Sequence, residues 1–151
     1  MKRMLVSLLL VAVFVMVAAH MAQAATQEEA KALAGKAMAY WKANGKDKAI
    51  AEFNNPTGPF VKGDLYVVVQ SFEGVVLANG GNPKLVGQNH FEMKDPGGKF
   101  FVKDMVEAAK TGSGWVTYQW VNPVTKKIGT KKAWIQRVEG ENLYINCGFF
   151  E

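Results

Sequence analysis

The last third of the sequence constrains the fold most, because it is typical of three strands joined by short connections. Residues 115–120, 131–138 and 143–150 are rich in β-branched and aromatic residues. An Asn-Pro pair at 122–123 and a polar turn at 139–142 separate them. Strands that follow one another through short connections pair antiparallel, so this part of the chain predicts an antiparallel sheet.

The chain ahead of these strands begins with a predicted helix. Thr26, with Glu29 three residues later, forms a capping box, and the Asn-Gly pair at 44–45 is a typical helix stop. Residues 46–53 predict a second, short helix. Between cap and stop, apolar residues recur at spacings of three and four, as a helix with one apolar face requires: Ala30, Leu33, Ala37, Tyr40 and Trp41.

The middle of the chain predicts a hairpin and a further helix. Residues 65–69 and 75–78 are typical strands joined by a Glu-Gly turn, residues 84–98 look irregular, and residues 100–109 return to a helical pattern. The element order is therefore helix, helix, strand, strand, helix, strand, strand, strand. This order predicts an α+β domain, in which a long N-terminal helix packs on an antiparallel β-sheet of about five strands.

Residues 1–24 have the layout of a secretory signal peptide. Two basic residues at 2–3 precede an almost wholly apolar run at 4–19, and an Ala-Gln-Ala triplet ending at Ala24 suits signal peptidase. A spanning helix needs roughly 20 apolar residues, and this run is shorter. We predict cleavage after Ala24, a single domain over residues 25–151 and a periplasmic or secreted location. An uncleaved membrane anchor is the alternative.

The charge of the exported chain gives little support to a polyanionic partner. The sequence has 18 basic and 13 acidic residues, and two of the basic residues belong to the leader. Cleavage leaves 16 basic residues (18 − 2) against 13 acidic ones, a net charge of about +3. The leader itself argues against nucleic acid, so we predict no nucleic-acid partner.

The exported chain lacks the residue types that metal and acid–base chemistry require. It contains one histidine, His90, and one cysteine, Cys147. Transition-metal sites need several nitrogen or sulfur ligands at set spacing, and a catalytic triad needs a base placed beside a nucleophile. Neither a nucleophile elbow nor a phosphate-binding glycine loop appears. We therefore predict no metal, no cofactor, no catalytic residues and no enzymatic activity.

The aromatic and basic residues of the closing strands leave three interpretations open. Strand alternation places Tyr118 and Trp120 on one face and Trp115 on the other. Such rings can form a stacking platform for single-stranded nucleic acid, a small ligand pocket, or ordinary core and sheet surface. The leader argues against the first interpretation, and the composition alone does not separate the other two.

Seven short motifs run through residues 25–151 in a fixed order. They are YVVV at 66–69, FEGVVLA at 72–78, NPKLVGQN at 82–89, KDP at 94–96, GWVTYQW at 114–120, NPVT at 122–125 and GFF at 148–150. Together they resemble the extracellular single Cache domain of type 2. The resemblance implies a PAS-like fold, with the long helix on one side of the sheet and a ligand cavity on the other. Members are mostly sensor domains of chemoreceptors and histidine kinases, and many bind acetate, propionate, lactate or pyruvate.

The resemblance also implies which residues bind the ligand. A family lysine that follows the Asn-Pro turn and precedes an aromatic by three residues aligns with Lys131, although a slip of one residue would exchange it for Lys132. A carboxylate ligand would supply the partner that a cationic lysine needs in an aromatic cavity. Tyrosine and tryptophan rings would form the walls, and an Asn-His pair would close the loop over the ligand. The expected ligand-binding residues are Lys131, Tyr118, Trp120, Tyr66, Trp134, His90 and Asn89.

Four positions depart from the usual family pattern. Gln70 and Ser71 replace an aromatic-Asp pair, Asn79 replaces a frequent histidine, and Cys147 stands where an aliphatic residue or glycine is usual. Any of these positions that lines the cavity would change the ligand preference.

The sequence thus predicts a periplasmic domain that binds a small organic acid and acts through another chain, such as a membrane receptor or a kinase. The alternative is a ligand-free periplasmic adaptor with a PAS-like fold. An uncleaved leader would tether either one to the membrane.

N-terminal sequencing of the exported protein tests the leader. We expect the mature chain to begin at Ala25, because Ala24 closes the small-x-small motif. Retention of Met1 on the exported protein would contradict this expectation.

Overall fold

A computed structural model describes residues 25–151 of the chain. The predicted signal peptide, residues 1–24, lies outside the described residues. Two helices open the described part: α1, Gln27–Asn44, and α2, Lys46–Phe53.

The predicted capping box of α1 is confirmed. The Glu29 N–H donates to Thr26 Oγ1 at 3.2 Å, and the Thr26 N–H donates to Glu29 Oε2 at 2.9 Å. These two bonds satisfy main-chain donors that the first turn of a helix leaves free. Gly45, with φ of +80°, ends α1 and starts α2, because glycine adopts this left-handed conformation without a steric penalty.

All strand pairs in the described residues are antiparallel. The strands are β1, Val61–Lys62; β2, Leu65–Ser71; β3, Val76–Asn79; β4, Ser113–Val121; β5, Ile128–Arg137; and β6, Leu143–Phe150. Their order across the sheet is β1-β2-β6-β5-β4, and β3 also pairs with β2. The last strand of the chain therefore lies in the middle of the sheet. The predicted hairpin and closing meander are confirmed.

One face of the sheet packs on α1 and α2, and this is called the α1 face below. Its core consists of apolar side chains from both helices and from alternate strand positions. Ala30, Ala34 and Ala37 are completely buried, and their small size lets α1 approach the sheet closely. Cys147 is fully buried in this core, and burial raises the pKa of its thiol to about 12. At neutral pH it is therefore a protonated core side chain.

The other face of the sheet packs on α3, Phe101–Lys110, and is called the α3 face. Between β3 and α3 runs a long connection, residues 80–99, called the strap below. The strap contains a single turn of 3₁₀ helix at Pro83–Leu85. The sequence predicted the strap as irregular. Apart from that one turn, its backbone is held mainly by hydrogen bonds to the ends of strands.

The strap is fastened to the sheet in its middle and near its end. In its middle, the Gly87 N–H donates to the Val76 carbonyl at 2.8 Å, and the His90 N–H donates to the Gly74 carbonyl at 2.8 Å. At its end, Asp95 accepts the N–H of Gln119 on β4 at 2.9 Å. This bond is the largest cause of a lowered pKa for the Asp95 carboxyl group. The strap therefore closes the α3 face from β3 across to the edge strand β4.

The sequence prediction differs from the structure mainly in short elements and in strand ends. The two-residue β1 was not predicted, since two residues carry no periodicity. Strand β5 begins at Ile128, three residues before its predicted start, because its pairing with β4 continues to the turn.

The aromatic contacts beneath α2 predict the cost of opening the α1-face core. The Phe53 ring is fully buried and meets the Phe60 ring edge-on at 4.6 Å between centroids. We expect Phe53→Ala to lower the free energy of unfolding by about 3–5 kcal/mol, measured by guanidinium unfolding. Ile128→Ala, at a side chain that is 58% exposed, is the control and should change it by less than about 0.5 kcal/mol. Equal losses in the two variants would contradict this packing.

Candidate functional site

The α3 face of the sheet brings together most of the residues predicted to bind a ligand. Tyr118 lies opposite Lys131 in the β4–β5 pairing, and the Lys131 ammonium reaches the Tyr66 ring on β2. Trp120 extends the same face of β4, where Phe101 packs against both its ring and that of Tyr118. Strand alternation decides this grouping, since residues two apart point the same way.

A small cavity of about 30 Å³ lies between this face, α3 and the strap. The sheet contributes tyrosine, tryptophan and amide side chains, α3 contributes Phe101 and Met105, and the strap contributes Leu85 and His90. The lining is aromatic and apolar with a few polar groups, which is the usual composition of small-molecule sites. The lining residues are Tyr66, Val68, Gln70, Val76, Asn79, Leu85, His90, Phe101, Met105, Tyr118, Trp120 and Asn146.

Lys131 is buried beside this cavity without an acidic partner. Only 1% of the residue is exposed, and its Nζ lies 3.7 Å from the Tyr66 ring centroid and 5.2 Å from that of Phe150. Within residues 25–151, no carboxylate forms an ion pair with it. Two aromatic rings thus stabilise the ammonium by cation–π contacts, which are weaker than a buried ion pair. The ammonium therefore has aromatic partners but no counter-ion among the described residues.

Glycine at position 148 makes room for the lysine. A Cβ atom on Gly148 would lie 2.8 Å from Lys131 Cε and 2.9 Å from Ala133 Cβ. Gly148 is on β6 beside β5, so its missing side chain leaves the channel in which the lysine stem runs. The GFF motif that closes the sequence therefore begins with a residue that the buried lysine requires.

Three amide side chains also line the cavity, and the sequence did not single them out as ligand-binding residues. Gln70 accepts the Tyr144 hydroxyl hydrogen at 2.8 Å and donates to the Gly74 carbonyl at 2.9 Å. Asn79 accepts two strap N–H groups, and Asn146 is 3% exposed. Gln70 and Asn79 stand at positions that depart from the family pattern, and this departure could have marked them as cavity residues. Asn146 could have been noticed only as a polar residue within an apolar strand.

His90 enters the cavity from the strap. It is 4% exposed, its Nε2 lies 3.2 Å from Gln88 Oε1, and its ring centroid is 6.4 Å from that of Trp120. Burial disfavours the charged imidazolium and lowers the pKa of His90 below its ordinary value of 6.5. The ring is therefore neutral at pH 7 and offers one donor and one acceptor.

Two of the predicted ligand-binding residues lie elsewhere. Trp134 is on the α1 face, where it packs against Trp115 at 5.2 Å between centroids and under the Lys31 ammonium. Asn89 is exposed on the strap, and its Nδ2 donates to the Glu73 carbonyl at 3.0 Å. Neither residue lines the cavity. Trp134 is three positions from Lys131, and side chains an odd number of positions apart on a strand point to opposite faces. Lys132 likewise lies on the α1 face, where its Nζ is 5.5 Å from the Trp115 ring centroid.

A larger groove of about 680 Å³ opens at the end of the domain, between the start of α1 and the β4–β5 turn. Three of its charged side chains already have partners, because Lys62 pairs with Glu29 at 3.2 Å and Asp64 accepts from Asn122 at 3.1 Å. The groove thus lacks the uncompensated buried charge that distinguishes the Lys131 site.

Residues 25–151 contain neither a candidate metal cluster nor a helix that could span a membrane. This part of the chain has no cluster of three or more histidine, cysteine or acidic side chains placed to hold a metal ion. None of its helices is both long enough and apolar enough to span a membrane.

An α+β domain with a helix-covered face and a strap-covered, aromatic cavity belongs to the PAS-like class. A family model described as Single Cache domain 2 matches residues 2–151, and the chain belongs to this family. No curated protein sequence matches it significantly.

Three solved structures share the fold. A methyl-accepting chemotaxis protein from Vibrio parahaemolyticus RIMD 2210633 is 20% identical, with a TM-score of 0.70 over 82% of this chain and 86% of that one. A periplasmic sensor domain of a chemotaxis protein is 22% identical, with a TM-score of 0.63 over 82% and 88%. A Cache chemosensory domain studied for carboxylic acid recognition is 22% identical, with a TM-score of 0.62 over 82% and 86%. At these identities the likeness concerns the fold alone.

The position of His90 predicts a pH dependence of stability. Its folded pKa is lowered, so the unfolded chain takes up the proton first as the pH falls. The contribution to the free energy of unfolding is complete above about pH 6.5 and is lost as the pH falls through the folded pKa. NMR titration of the imidazole, the only one in residues 25–151, should give a value below 6.5.

The matched variant for this titration is His90→Asn. It should show a flatter dependence of Tm on pH between pH 7 and 5 than the unmodified protein. A His90 midpoint at or above pH 6.5 would contradict the buried, neutral ring.

Proposed function

We propose that the domain binds a small carboxylate at the α3 face, with Lys131 as the partner of the acid group. The main supporting observation is that the Lys131 residue is almost completely buried while its ammonium has no ion-pair partner in residues 25–151. A buried charge is costly unless it is paired, and removing one partner of a buried pair usually costs several kcal/mol, about 3–5. A bound carboxylate supplies the missing partner.

The neighbouring side chains suit a ligand of a few atoms. Tyr118, Trp120 and Phe101 form aromatic walls, and the amides with His90 offer donors and acceptors. The Cache domain of similar fold that was studied for carboxylic acid recognition supports this ligand class. Acetate, propionate, lactate and pyruvate are the candidates, because each combines one carboxylate with a side group of one to three heavy atoms.

The biological setting follows from the leader and the family. We propose that residues 25–151 form an exported domain that works in the periplasm after cleavage at Ala24. Sensor domains of chemotaxis proteins share the fold, which supports a sensory rather than an enzymatic role. The signal would pass to a separate membrane receptor or kinase.

One observation favours a second candidate function. The cavity of about 30 Å³ holds little more than one water molecule. A ligand-free periplasmic adaptor, tethered if the leader is retained, would need no larger cavity.

A thermal-shift panel of small organic acids separates these two functions. An acid at 100 times its Kd adds about 2.7 kcal/mol to the free energy of unfolding. For a domain of this size, the corresponding rise in Tm is roughly ten degrees. We expect at least one carboxylate in the panel to produce it and the corresponding primary alcohols to produce none.

Lys131→Met tests the role of the ammonium. Methionine keeps much of the stem but removes the charge, so the acid should no longer raise Tm, while the ligand-free Tm should stay unchanged or rise. Lys132→Met is the matched control, because that side chain lies on the α1 face and should leave the acid response intact. An equal response in both variants, or no response to any acid in the unmodified protein, would contradict the proposal.

A further inference from the structure

The Tyr66 ring stands between Lys131 and the cavity. Lys131 lies on the same face as Tyr118 and Asn146, yet it does not line the cavity, whereas Tyr66 does. The ammonium instead points at the Tyr66 ring, with Nζ 3.7 Å from the centroid. A carboxylate entering the cavity therefore meets the ring before it meets the charge.

The volume of the cavity gives a second, independent constraint. A space of about 30 Å³ corresponds to roughly one water molecule. Even acetate has four heavy atoms, so an organic acid held fully inside this space would need more room, which the movement of one wall would supply. The question is which wall gives way.

Several walls are held by contacts that movement would break. Phe101 stacks on Tyr118 at 4.6 Å with an interplanar angle of 5°, and Tyr144, behind the cavity, is hydrogen-bonded to Gln70. Tyr66 belongs instead to a small cluster with Val68 and Val76, separate from the two main cores. Movement of its ring would therefore leave both main cores in place.

We propose that Tyr66 occupies, in the ligand-free protein, the place beside Lys131 that the carboxylate takes on binding. This inference rests on the proposed function. The ring stabilises the ammonium by a cation–π contact, and the ligand replaces that contact with a stronger charge-assisted hydrogen bond. Only an anion gains from the exchange, so Tyr66 adds selectivity against neutral molecules of the same size.

The displaced ring would act on the strap. A Cβ atom on Gly81 would lie 2.6 Å from Tyr66 Cε1 and 2.7 Å from Cζ, so the strap backbone at Gly81 packs closely against the ring. The Gly81 and Asn82 N–H groups donate to Asn79 Oδ1 at 3.1 and 2.9 Å, and Asn79 lines the cavity. Movement of the ring away from Lys131 therefore shifts the start of the strap, which gives the domain a ligand-dependent surface.

NMR of the lysine ε-methylene groups tests the exchange directly. In the ligand-free protein, the Lys131 ε-protons should be shifted upfield by the Tyr66 ring current, and the signal is assigned by its loss in Lys131→Met. Titration with acetate, propionate, lactate and pyruvate should move this signal downfield with the acid that binds. The Lys132 signal, next to Trp115 on the opposite face, is the internal control and should not move.

Two variants of Tyr66 distinguish a ring that the ligand displaces from a ring that stays as a wall of the occupied site. Tyr66→Phe keeps the ring and should bind the acid within about twofold of the unmodified protein. Tyr66→Leu removes the competing cation–π contact, so calorimetry should show binding tighter by about threefold to tenfold. Weaker binding by Tyr66→Leu would overturn the inference, because it would make the ring a wall of the occupied site.

The outcomes also distinguish this inference from the proposed function. If an acid binds by calorimetry but the Lys131 ε-proton signal stays upfield at saturation, only the displacement of Tyr66 is overturned. If none of the four acids binds, the proposed function fails and the displacement fails with it.

Discussion

The buried Lys131 ammonium is the feature on which the rest of the α3 face depends. A cation at 1% exposure needs surroundings that compensate it, and here these are the rings of Tyr66 and Phe150 rather than an acid. The lysine stem needs space, which Gly148 provides by having no side chain. One arrangement thus links Gly148 on the central strand β6, Tyr66 on β2 and Lys131 on β5. Each of these residue types is accounted for by the other two.

The two faces of the sheet carry different sets of side chains. The α1 face is filled by alanines, phenylalanines and the thiol of Cys147, with each strand adding every second residue. The α3 face receives the alternate residues and therefore carries the tyrosines, the amides and the lysine. The two sets alternate along the same strands, so neighbouring residues point to opposite faces. A substitution on one face therefore does not directly contact the side chains of the other face.

The strap covers the α3 face and is attached to the sheet in its middle and near its end. The Gly74 carbonyl accepts both the Gln70 side chain and the His90 N–H, so one point joins the cavity floor to the strap. At the far end, Asp95 ties the strap to β4 through the Gln119 N–H. The strap presents Leu85 and His90 to the cavity, and its start contacts Tyr66 at Gly81. Under the displacement proposed for Tyr66, the start of the strap would move while its end stays attached at Asp95.

The sequence alone determined the order of the elements and the faces of the strands. Capping signals, three- and four-residue spacings and turn residues are local, so the helices and the antiparallel meander could be predicted from them. Alternation likewise placed Tyr118 and Trp120 together and Trp115 apart. The family resemblance added Lys131, but it also added Trp134, although a spacing of three on a strand reverses the direction of the side chain.

Only the tertiary structure decided which face carries the cavity and what surrounds the lysine. The β2–β6–β5 pairing places Tyr66, Gly148 and Lys131 side by side, although more than 60 residues separate the first from the other two. The residues of the strap carry no periodicity, so only the folded backbone shows that His90 enters the cavity while Asn89 faces solvent. The burial of a positive charge is likewise invisible in the sequence, because it depends on which side chains the register of the sheet brings around it.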